Sequence, residues 1–388
     1  MQLNAQQVVT QFAHLLQQEM FPILEEVVGP LSKDLELLAA VMALVPLQRL
    51  LTARRAGTGR PAKDRAAVAM AFVAKAILNL PTTRHLISRL QVDRALREFC
   101  GWRTVKALPH ESKFSRAFAE FAESELPQQL HAALIAATQK DRLIGHIARD
   151  STAIPARERY PETEKQRKKA AKRSPKKKHA KGSFDKKKAS ERGTRIQQQR
   201  KQKLPKMLKG LPRGCDSGSK KNSQGNESYW RGYKLHLDVA DGQIPISALL
   251  TSASVHDSQA AIPLMTMSSQ QVTYLYELMD SAYDADEIHA HTRGLNHVPV
   301  IAPHPRRGTK KPSQLPKIYP AKPTPQLSPA QQDRYRERTM SERVNARLKD
   351  EFGARHVRVR GAAKVMAHLM FGVLALTVDQ WLRLSATG

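Results

Sequence analysis

The stretch YRERTMSERVNARLKDEFG, residues 335–353, decides how the rest of this chain is interpreted. It contains the pattern Y-x2-R-x3-E-x6-K, formed by Tyr335, Arg338, Glu342 and Lys349. At 3.6 residues per turn, these side chains and Asn345 fall on one face of a helix. A helix face that packs into a core is apolar, so this polar face is not explained by core packing. The stretch therefore predicts a helix that carries functional side chains.

The composition indicates a partner with negative charge. The chain has 388 residues, so two or more structural units are expected. Its 64 Lys and Arg residues against 35 Asp and Glu give a formal net charge of +29. Such a charge favours nucleic acid as the first candidate partner and an anionic membrane surface as the second. The alternative is a charge that only keeps the protein soluble.

Two cysteines, Cys100 and Cys215, are too few for a disulfide framework or a four-cysteine zinc site. This usage is typical of a reducing cytoplasm. The first residues lack a basic stretch followed by an apolar one, so no secretory signal is expected. The most apolar tract, residues 365–378, is shorter than the ~20 residues of a membrane span. We interpret it as a core helix and expect no membrane partner.

Residues 1–140 are predicted to be helical almost throughout, because alanine and leucine recur at intervals of three and four residues. Helix breakers such as GTGRPAKD, residues 57–64, separate short helices, and Asp64 is a candidate N-cap. The pattern is typical of a small helical bundle, similar to a helix-turn-helix domain. We expect a helical DNA-binding domain at 1–140 and a catalytic domain at 141–388.

A strongly basic tract interrupts the second domain at about residues 156–228. It includes KQRKKAAKRSPKKKHAKGSFDKKK, residues 165–188. Dense charge of one sign with few apolar residues cannot stabilise a core, so we predict a disordered or loosely helical insert. Such a tract binds DNA phosphates without reading bases, and we take Lys176, Lys177 and Lys178 as representative contacts. A loop that is merely solvated is the alternative.

Strand patterns surround this insert and define the fold class. Apolar or alternating runs predict strands at 143–152, 233–240, 244–252, 272–280 and 298–303. The second and third form a hairpin across the turn DGQ. Helices are expected after the hairpin, after the fourth strand and after the fifth. This order is that of an α+β, ribonuclease H-like fold, in which helices flank a mixed sheet.

Three acids stand where a rigid scaffold can hold carboxylates for metal-ion catalysis, at strand ends or on a helix that faces those ends. Asp150 is predicted to end the first strand, Asp280 to end the fourth, and Glu342 to face them from the helix predicted at about 330–351. Two-metal phosphodiester cleavage needs carboxylates that converge on ions ~3.5–4 Å apart. Taken singly, an aspartate after a strand is more often a turn or helix cap, and Glu342 could simply pair with Arg338. The joint arrangement favours a metal site.

Several segments resemble the DDE transposases of bacterial insertion sequences. The pattern around Glu342 resembles the family's signature, ARDST at Asp150 its first-acid motif, and MDSAYDA at Asp280 its D-x-x-Y motif. Residues 58–120, from GRPAKD to LPHESKFSR, are similar to the N-terminal domain of many such enzymes. The resemblance covers about two thirds of the chain, and the basic insert is its main departure.

The resemblance implies a specific activity. Asp150, Asp280 and Glu342 would hold two Mg²⁺ ions, or Mn²⁺ in their place. The enzyme would cleave double-stranded DNA at the inverted-repeat ends of its element and join the 3′ hydroxyl to target DNA. It would work as a homodimer or higher oligomer in the bacterial cytoplasm, associated with the nucleoid. No G-x4-G-K-[ST] loop is present, so no ATP is expected.

The same resemblance assigns three DNA contacts next to Glu342. Arg338 offers a fork to a phosphate near the cleaved bond, and Lys349 meets a further phosphate as a point charge. Tyr335 would stack on a base or position the DNA end. The alternative is a charged helix face with no ligand. The neighbouring pair His256 and Asp257 could support the metal site, but we favour a cap at the start of a helix.

Three other functions stay open at this point. One is a catalytically inactive or domesticated DNA-binding protein, and another is a metal-dependent nuclease without strand transfer. The third is a basic RNA-binding protein, which the low aromatic content of 5% disfavours.

Overall fold

The computed structural model describes residues 11–12, 14–52, 64–158, 194–221, 226–303 and 327–386. These residues form an α+β protein with an open mixed sheet, flanking helices and a helical N-terminal region, as predicted. The sheet and its flanking helices have the ribonuclease H-like arrangement.

Among the residues that the structure describes, the N-terminal region contains a π-helical turn, Leu16–Met20, followed by eight α-helices. They are α1 (Phe21–Val28), α2 (Lys33–Leu44), α3 (Leu47–Thr52), α4 (Arg65–Ile77), α5 (Thr83–Val92), α6 (Arg94–Phe99), α7 (Glu111–Glu123) and α8 (Leu126–Gln139). Asp64 caps α4, as predicted, because its side chain accepts the backbone N–H of Ala66 at 2.9 Å.

The rest of the described chain combines six strands with seven helices. The strands are β1 (Leu143–Pro155), β2 (Asp216–Lys221), β3 (Glu227–Ala240), β4 (Ile244–Ser252), β5 (Thr273–Met279) and β6 (Val298–Ile301). The helices are α9 (Arg195–Gln199), α10 (Leu204–Gly210), α11 (Ser258–Ser269), α12 (Asp286–Gly294), α13 (Pro329–Arg336), α14 (Thr339–Asp350) and α15 (Ala362–Ala386).

The sheet is antiparallel on one side of β1 and parallel on the other. β1 pairs antiparallel with β3 and parallel with β5, and β6 extends the parallel side. The first half of β3 pairs with β2, and its second half forms the predicted hairpin with β4. The edge strand β2 was not predicted, because its sequence DSGSKK has no apolar residue.

Strand β1 is longer than predicted. It continues five residues beyond Asp150, because β3 pairs with it as far as the Pro155–Gly232 position. Gly232 is required there, since a Cβ atom would overlap the carbonyl oxygen of Ile154. The expectation that Asp150 ends the first strand is therefore wrong, and Asp150 lies within a continuous strand.

The basic insert also differs from its prediction. Residues 194–221 form α9, α10 and β2, and β3 already begins at Glu227. The helices form because Met207 and Leu211 bury their side chains, and Ile196 part of its own, against α11 and its neighbours. A few apolar residues thus suffice to form helices in a segment whose average composition predicts no packed structure. Residues 159–193 and 222–225 lie outside the described residues.

The apolar tract near residue 370 forms the centre of the main core. Helix α15 packs against α2, α4, α7 and α8 on one side and against β4 on another. By length and composition alone, Ala362–Ser385 could cross a membrane, but 72% of its most apolar window is buried inside the protein. It is a core helix, as predicted. The division into domains at residue 140 stays a prediction, and helices from both sides of that position share this core.

A buried ionic network joins the central strands on the face opposite α14. Arg149 on β1 contacts Asp238 on β3 at 2.7 Å and Glu277 on β5 at 2.8 Å. All three side chains are almost completely buried. Ser268 donates to Asp238, and Tyr274 donates to Glu277. Buried charges are tolerated when they are paired and hydrogen-bonded in this way.

We expect Arg149→Met to lower the free energy of unfolding by about 3–5 kcal/mol, because it leaves two buried carboxylates without their cation. Urea unfolding followed by circular dichroism measures the change. Arg94→Met is the matched control, since Arg94 pairs with Glu98 on the surface, where solvent screens the ion pair, and its loss should leave the stability nearly unchanged. Equal stabilities of the two variants would contradict a structural role for the network.

Two buried histidines predict loss of stability in mild acid. Burial lowers the pKa of His131 to about 4, and burial together with the charge of Lys75 lowers that of His368 to about 3. In the unfolded chain both rings titrate near 6.5. Below this pH the unfolded state binds more protons, so stability present above pH 6.5 is lost as the pH falls towards 4.

Each ring should lower the free energy of unfolding by about 1.4 kcal/mol per pH unit in this range. His131→Gln can keep a polar contact with Thr377, which the ring reaches at 3.2 Å. We expect its unfolding midpoint to depend less steeply on pH between 6.5 and 5 than that of the wild type. Thermal unfolding in a pH series measures both slopes, and identical slopes would exclude His131 as a source of the acid sensitivity.

Candidate active site

Asp150 and Asp280 are brought side by side by the register of β1 and β5. In this parallel pair Ala148 lies opposite Leu278, so two residues further on Asp150 is level with Asp280. Asp280 is the first residue after β5, where pairing with β1 has ended. The two predicted acids therefore lie side by side at the carboxyl end of β5, where β1 continues without β5 as a neighbour.

Both aspartates are held in an environment that disfavours their negative charge. Burial raises the pKa of Asp150 to about 6, and the charge of Asp280 adds to the rise. The pKa of Asp280 is raised by burial and by the charge of Asp257. The backbone N–H of Ala282 donates to Asp280 at 2.9 Å, which opposes the rise. A cation between the two carboxylates would relieve their repulsion.

Helix α14 contributes an amide to this pair. Asn345 Nδ2 donates to Asp150 Oδ2 at 3.2 Å. Its Oδ1 atom is buried and has no hydrogen-bond partner among the described residues. A buried polar atom without a partner is costly in a native protein, unless water or an ion satisfies it. The site therefore offers two carboxylates and one amide oxygen, which are the donor types that hard divalent cations prefer.

Glu342 is not brought together with the two aspartates. Its carboxylate accepts Arg338 Nη2 at 2.8 Å, and about half of its side chain is exposed. Among the described residues, no three of His, Cys, Asp and Glu lie close enough to hold a metal ion. The Arg338 charge opposes the burial-driven rise in the pKa of both Asp150 and Asp280. A guanidinium thus lies within electrostatic reach of all three predicted acids.

The single helix predicted at about 330–351 is two helices. Helix α13 ends at Arg336 and α14 begins at Thr339. Between them the N–H groups of Arg338 and Met340 bond to carbonyls three residues earlier, which tightens the turn and ends α13. Tyr335 therefore belongs to α13, whereas Glu342, Asn345 and Lys349 belong to α14. The Arg338 guanidinium still lies 5.6 Å from the centre of the Tyr335 ring.

Basic side chains surround the acids on the side of β2. Burial lowers the pKa of Lys349, and the charges of Arg355 and Lys220 lower it further. Lys220 also opposes the raised pKa values of Asp150 and Asp280. Sequence reasoning missed Lys220 because β2 was assigned to the insert. Lys176, Lys177 and Lys178 lie outside the described residues.

The pair His256 and Asp257 was predicted to cap a helix, which is correct only for the histidine. His256 Nδ1 accepts the backbone N–H of Ser258 at 3.4 Å, at the start of α11. The Asp257 side chain makes no cap bond and contacts Lys234 Nζ at 2.8 Å instead. Its charge reaches Asp280. Asp257 is therefore a fourth acid near the site, which its place before a helix concealed.

Two family models match the chain. One, described as Transposase DDE domain, matches residues 141–378, more than half of the chain. The other, described as Transposase domain (DUF772), matches residues 24–120. No curated protein and no solved structure matches the chain at a significant level. The first match contains the whole sheet and the residues of the site described above. The chain therefore belongs to the DDE transposases of the insertion-sequence type.

Proposed function

We propose that this transposase cleaves DNA at the inverted-repeat ends of its insertion sequence and joins the freed 3′ hydroxyl to target DNA. The observation that supports this most is that the register of β1 and β5 sets Asp150 and Asp280 side by side, as two half-buried carboxylates with raised pKa values. Two such groups without a buried cation of their own are suited to bind metal ions and not to stabilise the fold.

The DDE transposase family depends in general on divalent metal ions. Asp150 and Asp280 would hold two Mg²⁺ ions, or Mn²⁺ in their place, and the unpartnered oxygen of Asn345 fits the same donor set. Bound there, such ions polarise the attacking oxygen and stabilise the leaving 3′ oxygen. Glu342 would join this set by giving up its bond to Arg338.

The movement of Glu342 from Arg338 to the metal ions would also free the Arg338 guanidinium. Once Glu342 has turned away, the guanidinium can direct its fork at a DNA phosphate next to the cleaved bond. Lys349 and Lys220 hold further phosphates beside Asp150, since a phosphate contact needs positive charge more than exact geometry. Tyr335, in contact with Arg338, packs on the DNA end.

The partners follow from this chemistry. The substrate is double-stranded DNA, first the inverted repeats and then the target. Because two ends of one element are processed together, the active form is a homodimer or a higher oligomer on DNA. We place the enzyme in the bacterial cytoplasm at the nucleoid. The basic tract that contains Lys176, Lys177 and Lys178 supplies additional contacts to the DNA backbone.

We expect Asp280→Asn to reduce metal-dependent cleavage at least about a hundredfold, because a metal-binding carboxylate contributes several kcal/mol to transition-state stabilisation. The assay uses a labelled duplex that carries the DNA flanking the coding sequence, with Mg²⁺ or with EDTA. Asp286→Asn is the matched control, since Asp286 is an exposed acid six residues further along. DNA binding is measured in parallel by gel shift and should not change.

The outcomes separate the alternative functions. Wild-type cleavage at the 3′ end that needs Mg²⁺, followed by joining to target DNA, supports the proposal. Cleavage without joining indicates a nuclease. Binding without cleavage by the wild type indicates an inactive or domesticated protein. Full activity of Asp280→Asn would remove Asp280 from the site.

We expect Arg338→Lys to lower the cleavage rate about tenfold at saturating DNA, because lysine keeps the charge but loses the two-pronged contact with phosphate. The rate is measured in single turnover, so that binding does not limit it. Arg343→Lys is the control on the same helix, since the Arg343 side chain is exposed. Equal rates for both variants would show that Arg338 acts only through its charge.

A further inference from the structure

A second basic site lies away from the three acids, where the N-terminal helices meet α15. A cavity of about 430 Å³ opens there between α4, α7 and the segment that leads from α14 into α15. Its floor contains the packed rings of Phe72, Phe118 and Phe371. None of its described lining residues is acidic.

Lys75 is the unusual member of this lining. It lies on α4 and only 6% of the residue is exposed. Among the described residues its ammonium has no hydrogen-bond or ion-pair partner. Burial lowers the pKa of Lys75 to about 8, so the side chain is still mostly charged at neutral pH. A buried charge without a counter-ion is costly, and this one faces an open cavity.

Three further cations stand at the mouth of the cavity. Arg358 and Arg360 precede α15, and Lys364 lies in its first turn. All three side chains are exposed. Glu158 accepts the backbone N–H of the adjacent Gly361 at 2.7 Å, but it is not part of the lining. Four positive groups around one cavity leave it with a positive potential that only an anion can balance.

The cavity is joined to the end of the active-site helix. Asn79, four residues after Lys75, donates its side-chain N–H to the carbonyl oxygen of Asp350 at 2.7 Å. Asp350 is the last residue of α14, and Arg355 follows it in the segment that leads to Arg358. Along the chain, the basic residues Lys349, Arg355 and Arg358 thus follow one another from the active-site helix to the lining of the cavity, and Arg355 is paired with Asp350.

We propose that this cavity binds a phosphate group carried by a nucleotide of the DNA strand, with Lys75 as its inner contact and Arg358, Arg360 and Lys364 as its outer contacts. The volume is in the range of small-molecule sites and exceeds that of a bare phosphate. The phenylalanine floor suits the less polar part of a nucleotide. The assignment to DNA rests on the proposed function, whereas the assignment to a phosphate group does not.

The test compares Lys75→Met with the wild type, using two probes. The first is inorganic phosphate, which should raise the thermal unfolding midpoint of the wild type relative to chloride at equal ionic strength. The second is a duplex of the flanking DNA, whose affinity is measured over a salt series in EDTA. We expect Lys75→Met to abolish the response to phosphate, to weaken duplex binding about tenfold and to reduce the salt slope by about 1.

Two further variants keep the test decisive. Lys75→Met removes a buried charge, so it should fold at least as well as the wild type. Arg360→Gln, at the mouth, should weaken both responses in part. Lys140→Gln removes an exposed lysine that does not line the cavity and should leave the phosphate response intact.

Each outcome decides the proposal. Loss of both responses in Lys75→Met supports it. Loss of the phosphate response with unchanged duplex binding would assign the cavity to a free phosphate ester and overturn the DNA assignment. Unchanged responses to both probes would overturn the site itself. Because binding is measured in EDTA, a failure of DNA cleavage in the earlier assay leaves this result unaffected.

Discussion

Arg149 and Asp150 are neighbours on one strand, and the alternation of side chains sends them to opposite faces of the sheet. Arg149 enters the buried network with Asp238 and Glu277, which joins β1 to both of its neighbouring strands. A shift of β1 by one residue would expose this cation and bury Asp150 in its place. The network thus fixes the register that makes Asp150 level with Asp280, and the geometry of the site depends on it.

On the other face of the sheet, the negative charges of the acids are compensated by nearby basic side chains. Arg338 holds Glu342 and lies within electrostatic reach of Asp150 and Asp280. The described protein therefore keeps a positive group near its carboxylates, and this group comes from the turn between two helices. A turn can move a side chain at less cost than a helix interior can. The break between α13 and α14 thus places Arg338, the ion-pair partner of Glu342, on a turn beside the acids of the site.

Sequence reasoning succeeded where a residue's neighbours in the chain determine its structure. Strand β4 has the predicted bounds 244–252, and Asp64 caps its helix as predicted, because alternation and capping are local. Sequence reasoning failed where contacts between residues far apart in the chain determine the structure. Strand β2 exists only through its pairing with β3, and the turn at Arg338 follows from backbone bonds that no residue type signals. Lys75 lies in an ordinary alanine-rich helix, and only the packing of α15 makes its position unusual.

Helix α15 also sets the order in which the protein can mature during translation. Helices α4, α7 and α8 are synthesised more than 200 residues before the helix that covers their apolar sides. Until α15 is made, these sides have no partner in the finished core and are exposed to chaperones or to other nascent chains.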